Sequence, residues 1–364
     1  MPERARLSVR DARSSPCDGC AAFCCTRLRL HAFEIRTLHE LDYAQYLLNF
    51  DDIELGVDGD GRWTAYLLAR CRMLSADGRC TVHGTPAQPV VCATYSEYDC
   101  WYRRALPTPG LTDEHVRVDR RRMEAIVEQV RVDEERIVVE MPTGEALRAL
   151  LAGVPLDQGE PRAAWDPLPS PAPSRRSGGA SATRSALAAL TGTPCDGCAA
   201  PCCTTLTFPV EIPVDIAGLD HLRYALGFPG VELVVARDAW SLVVHSRCRH
   251  LDGARCGVYG SLERPLACSE YDARTCWFKP TFAPHEAGPS LRVSAQRLPA
   301  VLEAIPVDAT GAIVEIPPVG TLRHALADHR GDAPPLRDLR RHLGCCQHDP
   351  EVQQHRGAVH PGQD

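Results

Sequence analysis

The residues that can do chemistry in this chain are its cysteines, 18 in 364 residues. Sixteen fall into two sets of eight with nearly the same spacing. Cys17, Cys20, Cys24, Cys25, Cys71, Cys80, Cys92 and Cys100 run as C-x2-C-x3-C-C-x45-C-x8-C-x11-C-x7-C. Cys195, Cys198, Cys202, Cys203, Cys248, Cys256, Cys268 and Cys276 run as C-x2-C-x3-C-C-x44-C-x7-C-x11-C-x7-C. C-x2-C places two thiolates on one turn, within reach of one metal centre. Asp18-Gly19 and Asp196-Gly197, between those cysteines, are turn formers. Adjacent side chains usually diverge, so Cys24 and Cys25 can serve two sites, with a strained vicinal disulfide as the alternative.

Eight cysteines divide into two tetrathiolate sites, or into one cluster plus a second cation. Soft thiolates select Zn²⁺, Cu(I) or iron–sulfur clusters over Mg²⁺ and Ca²⁺. Histidine is not part of the repeated set, since His83 aligns with Tyr259. All-cysteine ligation suits both structural Zn²⁺ and a [4Fe–4S] cluster. The first 16 residues are charged and carry no apolar h-region, so we expect a cytoplasmic chain whose thiols stay reduced. That expectation places metal ligation ahead of a disulfide framework or a set of inert buried thiols. Each site then adds on the order of 10 kcal/mol to folding, comparable to the whole stability of a domain.

Two tandem modules must position these ligands. Trp63 and Cys71 match Trp240 and Cys248 at an offset of 177, and Cys80, Pro89, Cys92, Tyr95, Cys100 and Trp101 match the second copy at 176. Module boundaries fall at 12–155 and 190–330. Between them a Pro/Ser/Gly/Ala-rich linker (156–189) has polyproline character and little core. The tail, 331–364, reads as polar and disordered; His342, Cys345, Cys346 and His348 within it form a third candidate ligand group.

Apolar spacing predicts a helix within 33–49 and a hairpin of 53–57 and 62–69 closed by Asp58-Gly59-Asp60-Gly61. The second copy repeats the hairpin at 231–235 and 240–245. Later helices are expected around Met123–Val130, Thr143–Leu151 and Leu298–Ile305, with a strand at Ile137–Met141. Helices and antiparallel strands interleave without βαβ regularity, which gives an α+β class. The hairpin should bring Cys71 and Cys248 back to face the opening cysteine blocks. Tyr95, Trp101, Tyr271 and Trp277 read as core, or as a shield over a cluster. Arg120-Arg121-Arg122 reads as a solvated helix face without a counterpart in the second copy.

A net charge of -7 disfavours general binding to nucleic acid or anionic membranes, and no stretch approaches the ~20 apolar residues of a membrane span. Lys279 is the only lysine, which removes almost every Schiff-base candidate. No glycine-rich nucleotide motif, P-loop or nucleophile elbow occurs. Cys20 and Cys24 have the first spacing of a radical S-adenosylmethionine motif, but position 27 is arginine.

The opening Cys-x2-Cys-x3-Cys-Cys block, Cys256-Gly257-Val258-Tyr259 and Arg264-Pro265-Leu266-Ala267-Cys268 resemble the YkgJ-type cysteine-cluster family of zinc- or iron-chelating domains. The first copy departs, with Cys80-Thr81-Val82-His83 and Gln88-Pro89-Val90-Val91-Cys92. Family members often carry arginine after the last of these cysteines, where this chain has Ala93 and Ser269. The resemblance implies two tandem metal-chelating modules. A flagellin lysine methylase is similar to this family in its cysteine block. Three functions follow as expectations: an iron–sulfur protein for electron transfer or redox sensing, with a protein redox partner; a zinc-chelating structural or interaction module; and a cluster-dependent enzyme such as a protein methyltransferase, for which no catalytic motif is found.

Overall fold

Apolar runs joined by short turns build the same hairpin twice. The structure, a computed structural model, describes residues 22–94, 116–157, 161–164, 200–271, 276–278 and 290–328. In the first half, α1 (Phe23–Thr26) leads to β1 (Arg27–Phe33), α2 (Leu38–Leu47), β2 (Ile53–Val57), β3 (Trp63–Leu68) and α3 (Val90–Thr94). Next come β4 (Val116–Val118), α4 (Arg120–Val127), β5 (Arg131–Val132), β6 (Val138–Glu140) and α5 (Gly144–Leu151). In the second half, a 3₁₀ turn (Pro201–Cys203) takes the place of α1. It is followed by β7 (Thr205–Val210), α6 (Ile216–Leu226), β8 (Val231–Val235), β9 (Trp240–His245), β10 (Leu251–Asp252) and β11 (Arg255–Cys256). The remaining elements are α7 (Leu266–Ser269), β12 (Leu291–Val293), α8 (Leu298–Ala304) and α9 (Val319–Asp328).

The expected α+β class holds: helices surround two four-stranded antiparallel sheets. Strand order is β1-β3-β2-β4 in one and β7-β9-β8-β12 in the other, the same topology twice. Trp63 lies between Phe33 and Val57, and Trp240 between Val210 and Val235, each with 1% of its surface exposed. The first hairpin turns where the Asp58 carboxylate accepts the N–H groups of Asp60 (3.0 Å) and Arg62 (2.9 Å).

One pair of positions shows how the two sheets reach equal packing by different means. At Gly56 an added Cβ would lie 3.0 Å from Tyr66 Cε2. The equivalent positions in the second sheet are Val234 and Val243. A glycine with a tyrosine fills the space that two valines fill.

Both helices after the first strands are capped as their sequences require. Thr37 accepts the Glu40 N–H, while Glu40 reaches back to the Thr37 N–H. Asp215 accepts the Gly218 N–H at 2.8 Å. The apolar faces of α2 and α6 join the two sheets in one continuous core that includes Leu47, Phe50, Trp63, Leu226, Phe228 and Trp240.

Two expectations need correction. Arg122 is not a solvated residue: its Nε donates to the Val154 carbonyl and its Nη1 to the Arg117 carbonyl, both at 2.9 Å. It also has a counterpart, since Arg297 Nη1 donates to the Arg292 carbonyl at 3.1 Å. Within the 156–189 segment, Arg162 ties the halves together. Its N–H donates to Leu68 O and its carbonyl accepts from the Arg70 N–H, while its guanidinium donates to the carbonyls of His245 (2.6 Å) and Pro229 (2.9 Å). The 331–364 tail lies outside the described residues.

Candidate metal centre

Each half turns sharply just before its vicinal cysteines. Ala22 (φ 52, ψ 44) and Ala200 (φ 52, ψ 49) are both left-handed, a conformation that costs an L residue roughly 1–2 kcal/mol. The turn that follows sets the two thiols side by side. Cys24 Sγ and Cys25 Sγ are 3.9 Å apart, and Cys202 Sγ and Cys203 Sγ are 4.0 Å apart. A disulfide needs about 2.05 Å, so neither pair is bridged, and the described cysteines are free thiols. Two thiolates on one tetrahedral ion, each bond about 2.3 Å long, stand about 3.8 Å apart. The vicinal cysteines, expected to diverge, have the separation of two ligands on one ion.

The hairpin returns the next cysteine to this pair, as expected from the sequence. The Cys71 N–H donates to the Cys25 carbonyl at 2.7 Å, and the Cys248 N–H to the Cys203 carbonyl at 2.8 Å. Burial raises the Cys71 and Cys248 thiols, and the Met73 and His250 N–H groups, which donate to those sulfurs, offset only part of the rise. Cys80 pairs with Leu74, and Cys256 with Leu251, so a tight turn brings each back beside the preceding cysteine. Cys92 on α3 and Cys268 on α7 complete the described thiols around each pair.

Electrostatics place these five sulfurs in one neighbourhood per half. Burial raises the Cys92 thiol to about 12, helped by Cys24, Cys71 and Cys80. Burial likewise raises Cys268 to about 12, helped by Cys248, Cys202 and Cys256. The shared hydrogen bond lowers Cys24 and raises Cys25, and the bond from Cys202 raises Cys203 in the same way. Crowded, half-buried thiols of this kind repel each other's charge. Several can ionise together only beside a compensating cation.

Cys17, Cys20, Cys100, Cys195 and Cys198, with Tyr95, Trp101, Cys345 and Cys346, lie outside the described residues. Among the described residues, no three His, Cys, Asp or Glu side chains already converge as a ligand set for one ion. The donor chemistry nevertheless fits a soft metal, with two free thiols at ligand separation in each half. Cys276 hydrogen-bonds with Tyr271, which also lies within electrostatic range of Cys202.

Of the four aromatics near the last cysteines, Tyr271 and Trp277 lie among the described residues. Tyr271 and Trp277 are 39% and 37% exposed. Phenols from the opposite half also reach the described cysteines. Tyr224 Oη donates to the Cys24 carbonyl at 2.7 Å, and Tyr46 stands within electrostatic range of Cys268, Cys202 and Cys203. Asp42 and Asp220 also cross over: Asp42 Oδ2 accepts the Leu266 N–H at 2.7 Å, and Asp220 Oδ2 accepts the Val90 N–H. A repeated Leu-Asp-x3-Tyr, Leu41 to Tyr46 and Leu219 to Tyr224, was a legible signal for all four.

Among the described residues no helix is long and apolar enough to cross a membrane. No protein-family model, curated protein or solved structure matches the chain.

Proposed function

We propose that the chain is a two-centre metal-binding protein, each repeat holding its metal through cysteine thiolates. The observation that carries this reading is the vicinal pair, placed alike in both halves with its sulfurs 3.9 and 4.0 Å apart. The ligand candidates are the eight cysteines of each set, with Cys24, Cys25, Cys71, Cys80 and Cys92 gathered in the first half and Cys202, Cys203, Cys248, Cys256 and Cys268 in the second. The resemblance to the YkgJ-type family supports the same assignment.

The spacing of the vicinal sulfurs favours a mononuclear tetrahedral ion such as Zn²⁺ for that pair, because the four thiolates of a [4Fe–4S] cluster each bind a different iron. A [4Fe–4S] cluster serving electron transfer or redox sensing is the second reading. It is supported by the half-buried setting and by N–H donors on Cys71 and Cys248, both of which tune cluster potential. Methyl transfer has no support beyond the family's likeness to a methylase.

Anaerobic purification with elemental analysis and a visible spectrum separates the readings. Colourless protein with stoichiometric zinc supports the mononuclear site. Brown protein with iron and acid-labile sulfide supports the cluster. Metal-free protein overturns both.

A further inference from the structure

The two halves exchange helices across their cysteine centres. Asp220, on α6 of the second repeat, accepts the N–H that opens α3, the helix carrying Cys92 of the first. Tyr224, one turn along α6, donates to the carbonyl of Cys24. At the end of that helix, Gly227 O accepts the Arg72 N–H at 2.9 Å, and a Cβ on Gly227 would stand 3.6 Å from Cys71 Sγ. Three cysteine-bearing segments of the first repeat therefore rest on one helix of the second.

The arrangement is reciprocal. Asp42, on α2, accepts the N–H of Leu266 that opens α7, the helix carrying Cys268. Tyr46 lies near Cys268, Cys202 and Cys203, and the Asn49 carbonyl accepts the Arg249 N–H at 2.8 Å beside Cys248. Each contact has its counterpart at an offset of 176 to 178, so duplication has kept both sides of the exchange. The first repeat's centre has one extra tie: Arg223 pairs with Asp220 at 2.5 Å and donates to the Gln88 carbonyl at 3.0 Å, whereas Gln45 occupies the equivalent place on α2.

We infer that each cysteine centre is held in shape by the other repeat's helix, with Asp220 and Tyr224 as positioning residues for the first centre and Asp42 for the second. This rests on the thiolate metal reading above. A ligand set split among three segments keeps its geometry only while those segments are held, and here the holding groups belong to the opposite repeat. Each centre's hold on its metal thus depends on the opposite repeat's helix.

The test uses the full chain, metal-loaded, with alkylation by iodoacetamide and peptide mass spectrometry to read each cysteine separately. Asp220→Ala and Tyr224→Phe should each make Cys24, Cys25, Cys71 and Cys92 react about fivefold faster, the size expected from a lost capping bond. Cysteines of the second repeat should change less. Asp42→Ala should give the mirror image. Asp220→Asn, which keeps an acceptor for the Val90 N–H, should restore most of the protection and guards against reading a misfolded variant. Reactivity rising chiefly in the variant's own repeat, rising equally in both, or not rising at all overturns the inference. Native protein without metal, whose alkylation is indifferent to chelator, overturns the metal reading itself; metal-loaded protein with effects confined to the mutated repeat overturns only the exchange.

Discussion

Replacing Glu232 by glutamine isolates a charge buried in the second sheet. Its carboxylate, 22% exposed, lies on β8 between His245 of β9 (3.1 Å) and Arg292 of β12 (Nε, 2.9 Å). Burial works against ionisation, but the His245 hydrogen bond and the Arg292 guanidinium outweigh it and hold the carboxyl at about 2. An unperturbed glutamate titrates near about 4.3. A depressed folded value contributes stability that is complete above the unfolded value and is lost as pH falls through the folded one. The separation of roughly two units corresponds to about 3 kcal/mol near neutral pH, at about 1.4 kcal/mol per unit. Urea unfolding of the native chain and E232Q, run side by side at several pH values, reads the difference directly. The gap should hold from about pH 7 to about pH 5, then shrink steadily toward about pH 2. Comparing the chains at each pH cancels acid effects on the cysteine centres. A gap that is the same at about pH 7 and about pH 3, or no gap at all, refutes the reasoning.

Three further outcomes follow. Ala22→Gly and Ala200→Gly should raise stability by about 0.5–1 kcal/mol each, because glycine accepts the left-handed backbone; a loss of stability would show that the alanine methyl group matters more than the strain. Gly56→Val and Tyr66→Val should each cost about 1–3 kcal/mol, and the double variant, which copies Val234 and Val243, should cost at least about 1 kcal/mol less than the sum; additivity would contradict the compensated packing. Changing Cys24 and Cys25 to serine should lower metal content by about half with the second repeat's cysteines still intact; unchanged content by elemental analysis would remove this pair from the ligand set.

Much of the fold is legible in the sequence. The hairpins are marked by short apolar runs and, in the first copy, by an Asp-Gly turn, and the duplicated order doubles the weight of each segment. The return of Cys71 and Cys248 to the vicinal pairs is legible for the same reason, since a hairpin of that length has one place to end. The crossed helices are not. Matching repeats identifies equal residues, and Asp42 with Asp220 looks the same whether each serves its own half or the other. Only the packing of α2 and α6 between the halves, with contacts spanning 130 to 224 positions, decides it. Arg122 misled because a run of three arginines resembles a solvated face, while the carbonyls it satisfies are brought to it by tertiary structure.

The most direct test of the central claim is metal stoichiometry. Protein purified without oxygen, and beside it the variant with Cys24, Cys25, Cys202 and Cys203 all changed to serine, should be assayed for metal per chain. The account predicts at least one metal per repeat in the native protein and near-complete loss in the variant. Metal-free native protein that folds identically with and without chelator would contradict it.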